Sequence, residues 1–375
     1  MAALMDSKNI AIMGFTGTIN KSLVVRHLHE VCAKLSDNSD LDDTTVHVFT
    51  RDHSSTSPPS SGARNIDIHF YPGYSLTDIA GNDEKKENTE KLLALFKALR
   101  ITRVFLCLPQ SLSSTEMITT SNAFTDKILS PCGTVKTVVR ISSYGLDADA
   151  PAQGPLALAH KAGEEYMRSK GFIVTSIRPT SFFSNFLKYD VTSILECSAF
   201  SSPLGHVATV NWIDNEDIAE VAAHCLLDVK LDGRILEITG PDCNCMSAEK
   251  MRMTISDAIG KDILYSEIPL PDFSDDYKNL WVYLRNDGFN AVTNTLKEIL
   301  GREGHQFKDM PIFSTLASHS QLETRLADLT SQLKEQEDEL ILATERITEE
   351  NECLRDELKT LLDGKHDTPV VDEGV

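Results

Sequence analysis

The stretch NIAIMGFTGTIN, residues 9–20, ends a short apolar run in two glycines, Gly14 and Gly17. A strand that turns through glycine into a helix points backbone N–H groups at a pyrophosphate. Gly14 would make the tight turn and Gly17 would let the backbone approach closely. Thr16 and Thr18 would add hydroxyls for phosphate oxygens. A third glycine is expected three residues on, and Asn20 stands there instead. That position serves helix–strand packing rather than phosphate contact. A dinucleotide site is therefore the leading reading, with a plain structural turn as its alternative. The second apolar run ends VFTRD, so Arg51 comes before Asp52. A basic residue at this point suits the 2′-phosphate of NADP, an acidic one the ribose of NAD. The expectation is NADPH in preference to NADH, with Arg51 as phosphate partner; a solvated arginine opening a loop is the alternative.

Elements must carry these residues to one place. Apolar runs at 9–13, 45–50, 66–71, 103–108, 135–142 and 172–179 alternate with amphipathic stretches at 19–35, 90–99 and 155–170. Several runs lack strict alternation, as strands buried on both faces do. Strand–helix repetition predicts α/β architecture: a doubly wound parallel sheet with helices on both faces. Residues 51–65, rich in Ser and Pro, read as a mobile surface loop. Residues 210–228 read as a strand feeding a helix capped by Asp214 or Asn215, 234–240 as a buried strand, and 247–260 as a helix stopped by Gly260. A smaller lobe is expected from 181–210 and 241–313.

Composition bounds the function. Of 375 residues 41% are hydrophobic, and the formal net charge is −20. That acidity argues against phosphate-backbone binding, so no nucleic-acid partner is expected. No apolar run is long enough to span a bilayer and no signal pattern opens the chain, so a cytoplasmic protein without a membrane partner is expected. Eight scattered cysteines fit reduced thiols, and Cys243-x-Cys245 lacks a companion pair, so no metal is expected. From Ala317 onward there are 16 Asp/Glu against 6 Lys/Arg. Within this tail Leu326, Leu333, Leu340, Ile347, Leu354 and Leu361 recur every seven residues, and Leu322 and Leu329 begin a second seam. A long C-terminal helix, read as a coiled coil with a partly disordered helix as the alternative, follows over 317–363, before a disordered tail at 364–375. It would pair with a second copy or with another helical protein.

Several blocks in order resemble the NmrA-like branch of the atypical short-chain dehydrogenase/reductases. They are VFLCLP, VVRISSYG, His160-x-x-x-Glu164, GFIVTSIRPTSFFSNF, WIDNEDIAEVAA, EITGPD and residues 286–307. The resemblance spans about residues 9–313 and implies an NAD(P)-binding Rossmann-type domain, 1–316, with a lobe forming the other wall of a cleft. It implies that Leu108 and Pro109 pass the cofactor. It also implies that Pro179 approaches the nicotinamide while Phe182, Phe183 and Asn185 line the acceptor pocket; the alternative for the two phenylalanines is that they fill the interface between lobes.

Classical members of that superfamily use Tyr-x-x-x-Lys, the tyrosine donating a proton. Tyr166 and Lys170 match the pattern, but they lie about ten residues into their helix, roughly 15 Å from the strand ends. Aligned with the family block, His160 takes the usual lysine position and Leu156 the tyrosine position. His160, with a near-neutral pKa, then becomes a candidate to orient ribose or carbonyl or to act as an acid. Ser142 and Ser143 end the fifth strand, where a serine can bond cofactor or substrate oxygen. Tyr144 beside them is a second candidate proton donor, with simple packing of a loop tyrosine as the alternative. The sequence thus leads to an NAD(P)H-dependent reductase acting on a small quinone, enone or imine. Its rival is a silent NAD(P)-sensing regulator or scaffold acting through the tail.

Overall fold

The computed structural model describes residues 9–14, 23–34, 44–51, 66–81 and 86–363. In chain order the first half holds β1 (Asn9–Met13), α1 (Leu23–Lys34), β2 (Thr44–Thr50), β3 (Ile66–Pro72), α2 (Leu76–Ala80) and α3 (Lys86–Ala98). Next come β4 (Arg103–Leu106), α4 (Ser114–Phe124), α5 (Ser130–Cys132), β5 (Thr137–Ile141), α6 (Leu146–Gln153), α7 (Pro155–Ser169) and β6 (Ile173–Pro179). The second half continues through β7 (Ser181–Phe182), α8 (Phe183–Tyr189), α9 (Val191–Cys197), β8 (Ala199–Ser202), β9 (Val210–Ile213) and α10 (Asn215–Leu227). It closes with β10 (Ile235–Ile238), β11 (Cys245–Met246), α11 (Ala248–Ile259), β12 (Leu264–Glu267), α12 (Asp275–Arg285), α13 (Thr295–Leu300) and α14 (Pro311–Asp363).

Seven strands form one parallel sheet in the order β10-β6-β5-β4-β1-β2-β3. The order reverses between β1 and β4, which is where doubly wound sheets open a crevice beyond their strand ends. Residue alternation explains the double cover. Ile10, Ile12, Val46, Val48, Phe105, Val139 and Ile177 face α1 and α10; Ala11, Met13, Val104, Leu106, Val138 and Val174 face the opposite layer, which contains Phe96 and Phe124. Both sets are fully or almost fully buried. At roughly 1.5–3 kcal/mol for each large apolar side chain buried, this two-sided packing holds the strand ends in place.

Local chemistry sets the helix boundaries. Asp214 caps α10, accepting from Glu216 N at 3.1 Å. Gly260 ends α11 with φ +67°. Helix α4 starts at a capping box, with Ser113 and Glu116 each bonding the other's backbone N–H. Residues 181–310 add a three-stranded sheet, β11-β9-β7, and the pair β12-β8. The chain divides into two compact units, Met1–Phe313 and Ser314–Val375. The second unit is described as the greater part of α14, whose seam residues are open: Leu322, Leu326, Leu333, Leu340 and Ile347 are 58–68% exposed. Thr16, Gly17, Thr18 and Asn20, most of the Ser/Pro-rich loop, and residues 364–375 lie outside the described residues. No described helix is long and apolar enough to cross a membrane.

Candidate functional site

Gly14 leaves β1 at φ +89°, a conformation that costs little only for glycine. It stands at the strand-order reversal, so the turn required for a phosphate-binding loop begins there. Arg51 directly follows β2 and is exposed. Leu108 and Pro109 follow β4 and are half-buried. The hydrogen-bond ladder of β5 runs on past Ile141, with Ser142 N donating to Ile177 O at 2.8 Å and Tyr144 N to Pro179 O at 3.1 Å. Ser142, Ser143, Tyr144 and Pro179 are thereby aligned along the carboxyl ends of β5 and β6.

These residues differ in what they have left to offer. Ser142 is buried and its hydroxyl donates to Glu164 at 2.5 Å. Ser143 Oγ lies 3.4 Å from Gln153 Oε1. The Gln153 amide also donates to Tyr144 O at 2.7 Å, which ties helix α6 to the strand end. The half-buried Tyr144 ring meets Phe289 edge-on, 5.8 Å between centroids. Burial, then Glu237 and Asp149, raise its pKa, so it stays protonated at neutral pH. Tyr283, also edge-on to Phe289, has its hydroxyl committed to Asp149 and to Gly288 O.

His160 differs from the sequence expectation of a near-neutral imidazole. Burial, followed by the charge of Arg140, lowers its pKa to about 3 against the opposing pull of Glu164. It is a neutral ring at any physiological pH and not a charged stand-in for lysine. The carboxylate of Glu164 accepts from Ser142, from Arg178 Nε and Nη2 at 3.2 and 2.8 Å, and from Arg168 at 3.1 Å. Burial works against that charge, but the bonds from Arg178 and Ser142 win and hold the pKa at about 2. One carboxylate therefore locks α7 to the ends of β5 and β6.

The residues expected on the acceptor side lie in the lobe. Asn185 accepts from Gln110 at 3.3 Å, joining α8 to the loop after Pro109. Phe182 is half-buried and packs against the core beneath α1 and α10. Phe183 is 1% exposed and lies edge-on to Phe307, so it packs the lobe interior. Helix α12 is tied to the same rim. Ser114 donates through N and Oγ to Asp276 at 2.9 and 2.8 Å, and Tyr277 donates to Gln110 O at 3.2 Å. A cavity of about 400 Å³ elsewhere, lined by Thr239, Cys243, Asn294 and Lys297, contains none of these residues.

Tyr166 and Lys170 are remote from this site. Both bond Asp126, at 2.6 and 2.9 Å, and Lys170 lies 4.8 Å above the Tyr166 ring. The sequence reading overlooked Arg140 and Arg178 within the fifth and sixth strands. A charged residue inside an otherwise apolar buried run was the available signal, since such a charge needs a built partner. Gln153 and Asp276 carried no local signal.

No family model matches the chain. Prestalk A differentiation protein A from Dictyostelium discoideum is 28% identical over 158 residues, 39% of this chain and 52% of that protein. The chain thus spans about half the length of this curated relative. Among solved structures, the NADPH-dependent quinone oxidoreductase of Escherichia coli, complexed with NADPH, has a TM-score of 0.60 at 17% identity, covering 82% of this chain and 99% of that one. NmrA, a negative transcriptional regulator in complex with NADP, has a TM-score of 0.57 at 14% identity, covering 83% and 97%. This chain has their fold. The Rossmann-type architecture expected from the sequence is therefore met, and the long C-terminal helix is present beside it.

Proposed function

We propose that this chain is an NADP(H)-dependent oxidoreductase that reduces a small organic acceptor of the quinone, enone or imine type. The observation that carries the reading is the left-handed Gly14 at the strand-order reversal. It stands in a fold shared with two proteins solved with NADP(H). Gly14, Thr16, Gly17 and Thr18 would hold the pyrophosphate, Arg51 the 2′-phosphate, and Leu108, Pro109, Ser142, His160 and Pro179 the nicotinamide half. When bound, the dinucleotide supplies a hydride, two electrons with one proton, to the acceptor carbon. The acceptor heteroatom gains the second proton. Tyr144 is the donor we assign, because no described partner occupies its hydroxyl and it stays protonated at neutral pH. Ser143 orients the acceptor oxygen, and Phe182 and Asn185 form the pocket with the Phe183 backbone. Rate enhancement comes chiefly from orientation in a cleft closed by α12.

A second reading, a dinucleotide-sensing regulator, is favoured by the open seam of α14. A regulator of the same fold is known with NADP. In either case α14 pairs with a second copy or a helical partner, and the protein works in the cytoplasm. Titration with NADPH and NADH, repeated on Gly17→Val, tests the shared element: tight NADPH binding lost in the variant is expected. Absence of binding to either nucleotide overturns both readings. Turnover of quinone, enone or imine probes then separates enzyme from sensor.

A further inference from the structure

Arg140 lies on the face of β5 that packs against α4 and α7. It is 1% exposed, and none of its three guanidinium nitrogens has a hydrogen-bond partner. Gly163 admits it: a Cβ there would fall 2.5 Å from Arg140 Nη1 and 2.9 Å from Ser121 Oγ. The neighbouring carboxylate, Glu164, already accepts four bonds from other donors. Three residues before Gly163, on the same face of α7, stands His160. Its Nδ1 is sealed from solvent and unpartnered, while the residue as a whole is only partly buried. Nε2, unlike Nδ1, is not among the sealed nitrogens.

We propose that Arg140 is a positioning residue that fixes His160 as the neutral Nε2–H tautomer, so that the ring presents a hydrogen-bond donor, and no charge, to an oxygen in the cleft. A guanidinium offers five N–H donors and no acceptor. The two groups are not hydrogen-bonded to one another, so the preference is electrostatic: the cation disfavours a proton on Nδ1 and favours a lone pair there. The other groups facing this region do not reverse the preference. From α7, Glu164 is saturated and Arg168 adds positive charge, as does Arg178 from β6; on α4 the Ser121 hydroxyl and the Asn122 side-chain oxygen are neutral. After β4, Cys107 is held as a neutral thiol, its pKa pushed up to about 12 by burial. The direction of the His160 shift agrees with this geometry. The functional consequence rests on the reading above. The oxygen is a hydroxyl or carbonyl of the bound dinucleotide or of the acceptor, recognised by a neutral donor.

The test is long-range imidazole ¹⁵N–¹H correlation on the full chain from about pH 5 to pH 8, the range in which an ordinary histidine titrates. His160→Gln assigns the signals by their loss. One bare nitrogen and one Nε2–H, unchanged across the range, are expected. A His160 that protonates in this range, or carries its proton on Nδ1, overturns the proposal without any variant being needed. Arg140→Met is expected to lose the fixed tautomer and Arg140→Lys to retain it; a Met variant with the native pattern also overturns it. NADP⁺ is then added, with binding read separately by calorimetry. A shift at Nε2 supports use of the donor by the dinucleotide, and a shift only on further addition of a quinone supports use by the acceptor. Bound ligands that leave Nε2 unmoved overturn the presentation of the donor. Failure of NADP⁺ to bind overturns the reading of function and leaves the tautomer result standing.

Discussion

At the scale of single residues, two candidates adjacent in sequence have different fates. Ser142 is held by Glu164 at 2.5 Å, while Tyr144 keeps a hydroxyl without a described partner. Nothing in the spacing SSYG distinguishes them, because the distinction comes from a carboxylate 22 residues away in sequence. Tyr144→Phe is expected to lower turnover with a quinone probe by about 10²-fold, the usual loss on removing a proton donor. NADPH affinity should stay unchanged, and stopped-flow absorbance of NADPH oxidation reads the rate. A variant with native turnover would move the donor role to solvent. Glu164→Leu tests the buried ion cluster. It strands Arg178, itself 1% exposed, with Asp147 at 3.0 Å and Glu237 at 3.8 Å as its remaining carboxylates among the described residues. Breaking a buried pair in this way is expected to cost roughly 3–5 kcal/mol, read from the urea midpoint.

At the scale of elements, the sequence was most informative where pattern and packing agree. The Val- and Ile-rich runs became strands because both faces of the sheet are covered, and the Asp214 cap and Gly260 stop stand where backbone chemistry demands them. Helix α4 was not anticipated, although its capping box, Ser113-x-x-Glu116, stood in the sequence as a local signal. Helices α6 and α12 are set by contacts from distant parts of the chain, which periodicity does not report. The clasp between α10 and the segment after α13 is of the same kind. His305 Nδ1 lies 3.1 Å from both Asp214 and Asp217, and Arg302 bonds Asp217 and Glu220 at 2.8 and 2.5 Å. Bonds to the two aspartates outweigh burial and raise the His305 pKa to about 10. A folded pKa above the unfolded value, about 6.5, gives a contribution fully present below pH 6.5. That contribution declines as pH rises and is gone above pH 10. Unfolding midpoints should therefore fall between pH 6 and pH 10 more steeply in the native chain than in His305→Gln. Parallel curves would exclude the clasp as a source of pH dependence.

At the scale of the whole molecule, the acidic α14 and the folded unit before it are separate physical problems. The heptad spacing of α14 was plain in the sequence, and its seam leucines are open to solvent in the single chain. What covers them cannot be read from one chain, because the pairing free energy lies in a second helix. Truncation after Leu316 is expected to leave the thermal midpoint of the first unit within a few degrees of the full chain. The sedimentation coefficient should fall to that of a monomer if α14 pairs with its copy. A truncated form that unfolds would move the unit boundary. Glu164, finally, bears on how the first unit opens. Glu164 rides on α7 while Ser142 and Arg178, which donate to it, belong to the ends of β5 and β6, so fraying α7 alone would withdraw the carboxylate from two buried arginines, Arg140 and Arg178. Partial opening is thereby made more costly, and α7 is bound to the fate of the sheet. Amide protons in the middle of α7 should exchange with deuterium only as fast as the entire unit unfolds, with the same denaturant dependence as the strands. Faster exchange there would reveal a local route that the buried charge was expected to close.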